Sequence, residues 1–146
     1  EFRKNIIAPV AGSEALGTAL WYRDALALDA IDYMHYDLGW IGGISEAIKI
    51  SGIAHANNRM MCPHDCTGPI VWIANLHISL AFSSSMILES VRSYYNGFYK
   101  KLVNNLPKIE KGFAFPMDGI GLGTELQDTL LKSPNTIIRK TSKNDL

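Results

Sequence analysis

Asp37, His64 and Glu89 each close a short apolar run, and helix-like segments separate those runs along residues 31–89. Few folds can use such a pattern. An acid, an imidazole and a second acid spaced this way converge in a parallel β/α sheet, where the strand bodies vanish into the core and the polar residues at their C-terminal ends line the ligand face. These three residues are therefore the first candidates for chemistry.

The surrounding sequence supplies the units such a sheet needs. Residues 5–10 (Asn-Ile-Ile-Ala-Pro-Val) read as a buried strand, followed by a turn at Gly12, Ser13 and Glu14. A helix is predicted over 17–28, with Leu20, Trp21, Ala25 and Leu28 on the face that packs against the sheet. The next strand covers 30–36 and leads into a loop from Asp37 to Gly43. Ser45 is placed to cap a helix running to Ala56, which carries apolar Ala47, Ile48 and Ile50. A third strand at 59–62 ends on Pro63-His64, and Gly68-Pro69 opens a helix to Leu80, proline being tolerated in a first turn. Residues 86–88 form a fourth strand ending at Glu89. Repeated β/α steps with short loops imply parallel strands joined by right-handed crossovers.

Composition removes several functional classes. The chain has 146 residues, 47% hydrophobic and 19% charged, enough to bury a domain-sized core without the bias of a disordered segment. Its 14 Lys and Arg balance 14 Asp and Glu, so there is no basic field for nucleic acid. No apolar run reaches the roughly 18 to 20 residues of a membrane span, and Glu1-Phe2-Arg3-Lys4 does not open a signal sequence. The absence of an initiator methionine predicts a fragment of a longer polypeptide. Two cysteines, Cys62 and Cys66, are too few for a disulfide framework and read as reduced thiols of a cytoplasmic protein. With no second Cys pair, a metal site built on them is the weaker reading.

Neither glycine-rich phosphate fingerprint is present. Gly119, Gly121 and Gly123 come late, after Phe-Pro-Met-Asp, and lack the βαβ context of a dinucleotide site. Beyond Ser90 the pattern changes: Tyr94, Tyr95, Phe98 and Tyr99 crowd an amphipathic segment, read as core or interface, and residues 104–118 have no steady period. The expected organisation is thus a β/α unit over 1–95 and a C-terminal segment over 96–146 that packs on another surface.

These residues resemble the C-terminal half of the barrel in the mandelate racemase and muconate lactonizing branch of the enolase superfamily. The resemblance is carried by Pro9-Val10-Ala11-Gly12-Ser13-Glu14, by the stretch from Ile31 through Asp37-Leu38-Gly39-Trp40-Ile41-Gly42-Gly43 to Ala47, by Pro63-His64-Asp65-Cys66-Thr67-Gly68-Pro69, and by Leu88-Glu89. Gly119 to Leu126 and Ile137-Ile138-Arg139 look like the tail with which family members return to a capping domain. The implied fold is α/β, strands five to eight of a (β/α)7β TIM-like barrel plus that tail.

The resemblance also implies roles. Glu14 matches the third carboxylate ligand of an essential Mg²⁺, with Ser13 in place of the usual preceding glycine. Asp37 and His64 match the aspartate and histidine of a His-Asp dyad. Glu89 matches the acid that hydrogen-bonds the enolate intermediate opposite the metal. The implied reaction is abstraction of the proton α to a carboxylate, with dehydration of an acid sugar favoured over racemisation of a 2-hydroxy acid. The remaining metal carboxylates, a second-strand acid-base residue and the capping domain are not in this chain. It is therefore expected to be part of a longer enzyme or to associate with a partner, as a homo-oligomer when complete, and to be inactive alone. A half-barrel also leaves sheet edges unpaired, which invites pairing.

Elementary chemistry fits these expectations. A hard dication holding the developing enediolate oxygens offsets the cost of the carbanion, and a carboxylate such as Glu14 suits it. An imidazole titrates near neutrality, so His64 can take or give a proton while Asp37 orients it. Glu89 must carry a proton to donate to an oxyanion, and a barrel floor of low polarity is expected to favour that form. Each role has a plainer competitor. A carboxylate after a strand is often a helix cap. Trp40, Asp65, Cys66 and Thr67 are candidates for substrate contact, although covering the barrel rim is the favoured reading of Trp40, and Asp65, Cys66 and Thr67 can equally hold the loop. His35, His55 and His77 read as structural histidines, although His35 shares the strand face of Asp37. A non-catalytic half-barrel acting as an assembly partner is the alternative from another functional class.

Overall fold

A computed structural model describes residues 1–12 and 14–142. The elements follow in the order β1 (Ala11–Gly12), α1 (Ala19–Ala27), β2 (Tyr33–Asp37), α2 (Leu38–Ile41), α3 (Ile44–Ala56), β3 (Met60–His64), α4 (Pro69–Ala81), α5 (Arg92–Asn96), β4 (Ile109–Glu110), β5 (Phe113–Ala114) and α6 (Asp128–Leu131), with 3₁₀ turns at Arg3–Asn5 and Phe98–Lys101. Strands β1, β2 and β3 form a parallel sheet in that order, in a register that sets Asp37 directly beside His64. Parallel neighbours in sequence order require the helical crossovers between them.

Alternation along β2 divides the molecule. Met34 and Tyr36 are fully buried on the helix side, against Tyr22, Ala47, Ile50, Ala54, Met61 and Ile78, while Tyr33 and His35 lie on the opposite face. The Tyr36 hydroxyl reaches the Met61 sulphur, and the Tyr22 hydroxyl donates to the His35 carbonyl at 2.8 Å, fixing α1 over β2. Burial pushes the Tyr22 and Tyr36 hydroxyls well above the usual phenol range. Below the sheet, Arg3 and Arg59 interlock with Asp29 and Asp32, tying the start of the chain to the ends of β2 and β3 that lie opposite the site.

Several expectations are corrected here. Residues 5–10 are not a buried strand. Ile7 is fully exposed, and pairing begins only at Val10, whose carbonyl accepts the amides of Asp32 and Tyr33, because the preceding Pro9 has no N–H to offer a ladder. Helix α1 buries Ala19 and Tyr22, whereas Leu20, Trp21 and Leu28 face outward. Gly43, with φ of 87°, is the N-cap of α3; Ser45 lies inside the helix and caps nothing, and Ile48 is exposed. The stretch read as a loop after Asp37 contains the helical turn α2, stopped by left-handed Gly42.

Residues 86–88 are not a regular strand. They run parallel to β3, with Met61 N donating to Ser84 O and Met86 N to Met61 O, but the next amide on Pro63 O belongs to Glu89 rather than Leu88. Pro63 contributes no N–H, so the ladder breaks at that point and the spare residue turns Glu89 toward His64.

The C-terminal region is partly anchored on α4. Tyr95 stacks on Trp72 with ring centroids 5.0 Å apart, and Tyr99 and Val103 are buried, whereas Ile120 and Ile137 are exposed. Lys111 and Gly112, both with positive φ, make the two-residue turn between β4 and β5. Among the described residues, no helix is long and apolar enough to cross a membrane.

Candidate active site at the C-terminal ends of the strands

Four sequence candidates converge at one edge of the sheet: Glu14 in the turn after β1, Asp37 and His64 as the last residues of β2 and β3, and Glu89 at the end of the parallel segment beside β3. His64 is the centre. Its Nε2 lies 2.9 Å from Glu14 Oε2 and its Nδ1 3.0 Å from Glu89 Oε2. Asn75, reaching from α4, donates to the His64 carbonyl at 2.7 Å and fixes its backbone. Yet His64 Nδ1 and Glu14 Oε2 are both buried without an aligned hydrogen-bond partner. Such atoms are costly to leave unsatisfied, so the cluster has a place for something that satisfies them.

That observation tests the fit of a cation. A buried carboxylate oxygen without a donor is the kind of group that a hard dication takes. Glu14 thus fits as one ligand, and among the described residues no other carboxylate joins it within ligating distance; its neighbours are His64 and Cys66. Ser13, expected to alter the approach to Glu14, lies outside the described residues.

Asp37 does not make the contact expected of it. Among the described residues it has no hydrogen bond to His64, although the two are register neighbours. Its Oδ1 accepts the Gly39 amide at 2.7 Å and the Thr67 hydroxyl at 2.9 Å, and its Oδ2 accepts the Cys66 amide at 3.2 Å. The fully buried carboxylate therefore caps α2 and braces the loop that follows His64. Gly39 is required beneath this brace, because a Cβ there would lie 2.8 Å from the Thr67 hydroxyl.

The substrate-contact candidates separate. Asp65 is fully buried, and both its oxygens accept the Tyr99 hydroxyl at 3.1 Å while the Gly68 amide reaches Oδ1, so it holds the loop. Burial pushes its carboxyl up to about 6, against the opposing pull of those hydrogen bonds. Trp40 and Thr67 are both exposed at the rim, with the Thr67 hydroxyl already committed to Asp37. Cys66 is exposed as well, its thiol pushed up by burial of the sulphur and by the carboxylates of Asp37 and Glu14.

Two further corrections concern the inner face. His35, read as structural, sits against Glu89: its Nε2 contacts Glu89 Oε2, and its ring centroid is 4.9 Å from that of His64. The signal was its position two residues before Asp37 on one strand face. Glu89 was expected to be raised by burial into its protonated form. Burial does push it upward, but the hydrogen bond from His35 and the neighbouring charge of His64 outweigh that push, leaving it below the usual glutamate range.

The chain is similar to proteins already known. Residues 1–130 match the family described as enolase C-terminal domain-like. The chain is 32% identical over 120 residues to the arabinonate dehydratase of Saccharolobus solfataricus, covering 82% of this chain and 32% of that protein. It is 29% identical over 128 residues to the D-galactonate dehydratase of Verminephrobacter eiseniae, covering 84% and 34%. Among solved structures, an enolase protein from Sargasso Sea environmental sequencing superposes with a TM-score of 0.87 at 35% identity, over 97% of this chain and 38% of that one. An enolase of the mandelate racemase subgroup from Agrobacterium tumefaciens gives 0.78 at 39%, over 86% and 33%. The chain thus spans about a third of the length of the relatives it matches.

Proposed function

As this chain belongs to the enolase C-terminal domain-like family, in the mandelate racemase and muconate lactonizing branch of the enolase superfamily, we propose that it supplies the second half of a barrel that dehydrates an acid sugar. The observation that carries this reading is the placement of Glu14 and Glu89 on opposite nitrogens of one histidine at the C-terminal ends of the strands. His64 takes the proton α to the substrate carboxylate and returns one to the leaving β-hydroxyl. Glu89, on the other side of the ring, faces the oxyanion that forms. Asp37 acts from the adjacent strand by fixing the Cys66-Thr67 stretch that follows the histidine. Glu14 would hold Mg²⁺ together with carboxylates from the remainder of the barrel, and the ion would supply neutralisation of charge developing on the substrate carboxylate. The names of the two dehydratases support an acid-sugar substrate.

Exposed Ile7 before β1 and exposed Met86 and Ile87 beside β3 leave apolar surface at both sides of the sheet, in keeping with a further barrel half or a second copy packing there. In the assembled enzyme, incubation with arabinonate or galactonate and Mg²⁺ should yield the 2-keto-3-deoxy acid, with deuterium from D₂O at C3. His64→Asn should lower kcat by at least about 10²-fold. Undiminished turnover in that variant removes His64 from the reaction.

A further inference from the structure

The Glu89 carboxylate has two imidazoles on a single oxygen. His35 Nε2 is hydrogen-bonded to Oε2 from the inner face of β2, and His64 Nδ1 lies 3.0 Å from the same oxygen, out of line for a hydrogen bond, from the end of β3. Their rings are tilted by 45° with centroids 4.9 Å apart, and His35 is shielded enough, at 21% side-chain exposure, to be held in that pose. Glu14 approaches His64 from the far side, and the thiol of Cys62, the register neighbour of His35 on β3, is pushed up by its burial and by the Glu89 charge. The two imidazoles have different surroundings. His64 is shared between two carboxylates, whereas the described carboxylate contact of His35 is Glu89 alone.

A bare carboxylate cannot donate to an oxyanion, so the acid role read for Glu89 needs a proton from somewhere. We propose that His35 is a positioning residue that stores this proton, making a His35–Glu89 pair, rather than the Glu89 carboxyl by itself, the acid that meets the substrate oxyanion. The inference rests on the enolate-forming reading of the site. The resting pair is an imidazolium and a carboxylate. As negative charge develops on the substrate carboxylate, the Nε2–H bond of His35 breaks and an O–H bond forms on Glu89 Oε2. That hydroxyl turns about its C–O bond to donate to the oxyanion, and turns back to return the proton to His35 when the enolate collapses. The net charge of the pair is unchanged throughout, so the transfer builds no new charge beside the half-exposed Glu89. A second acid held in this way also leaves His64 free for the α-proton and the leaving hydroxyl.

The test uses the assembled enzyme as wild type, His35→Gln and Glu89→Gln, each checked for an unchanged circular dichroism spectrum. Proton NMR of the substrate-free protein should show a far-downfield imidazole N–H resonance that disappears in both variants. Its absence from the wild type, or its survival in Glu89→Gln, overturns the pair. In turnover, His35→Gln should lower kcat by roughly 10- to 100-fold, leave KM within about threefold and change the shape of the pH profile of kcat. An unaltered profile and kcat overturn the role of His35 in the reaction. If the wild type exchanges no α-proton with any acid sugar, the enolate reading fails, while the NMR measurement still decides whether His35 and Glu89 share the proton.

Discussion

The Thr67 hydroxyl donates to Asp37 Oδ1 at 2.9 Å, so the carboxylate expected to steer His64 is bound instead to the loop that begins beyond it. Asp37 also accepts two backbone amides, from Gly39 and Cys66, and is fully buried. Removing one donor leaves a buried anion short of a partner. Thr67→Val should therefore cost about 1 to 3 kcal/mol in urea unfolding, and Thr67→Ser should recover most of it. A Thr67→Val protein as stable as wild type would show that the brace contributes nothing.

Gly39 is a second probe of the same brace. A methyl group at this position would meet the Thr67 hydroxyl at 2.8 Å and Asp37 Oδ1 at 3.0 Å. Gly39→Ala should destabilise by about 1 to 3 kcal/mol through overpacking, despite the better helix propensity of alanine. Combining it with Thr67→Ser should not relieve the clash, because the oxygen stays; combining it with Thr67→Ala should remove the 2.8 Å contact and leave the one with Asp37 Oδ1.

Asp65 gives the fold an acid-side preference. Its folded value of about 6 stands above that of an unfolded aspartate, so the folded protein binds the extra proton between pH about 4 and 6. The stability linked to this group is present at low pH and lost as pH rises through 6. Asp65→Asn, whose amide oxygen can still accept from Tyr99, should flatten the fall in melting temperature between pH 4 and 7. A variant with the wild-type slope would assign that slope elsewhere.

Asp32 works in the opposite sense. The guanidinium of Arg3 at 2.6 Å, with the Val10 amide, holds its carboxyl down at about 2. Stability from this group is present above the unfolded aspartate value and is lost as pH falls from about 4 through 2. Arg3→Ala should shift the acid-unfolding midpoint to higher pH, while leaving the slope between pH 4 and 7 to Asp65.

The sequence made parts of this molecule legible and hid others for physical reasons. The strand bodies around Met34 and Met61 and the helix opened by Gly68-Pro69 follow from apolar runs and a proline at the start of a helix, which are local signals. The burying face of α1 does not. Leu20, Trp21 and Leu28 are apolar but face outward, so hydrophobicity along α1 pointed to the wrong stripe, and Tyr22 is buried because its hydroxyl has a carbonyl on β2 to meet. The break at residues 86–88 depends on Pro63, a residue of another segment. At the site, positions were legible but partners were not. Glu14, Asp37, His64 and Glu89 converge as expected from their strand ends, whereas the brace on Asp37 and the seat of Glu89 on His35 arise from loop geometry and cross-strand neighbours that spacing along one chain does not encode.

The central claim, that this strand-end cluster carries enolate chemistry on an acid sugar, is tested most directly by following the α-proton. Proton NMR of galactonate or arabinonate incubated in D₂O with Mg²⁺ and the assembled enzyme reads loss of the C2 proton and appearance of the 2-keto-3-deoxy acid in one experiment. The account predicts both with wild type and neither with His64→Asn. An intact C2 proton with wild type across both acids, or equal loss with wild type and His64→Asn, would contradict it.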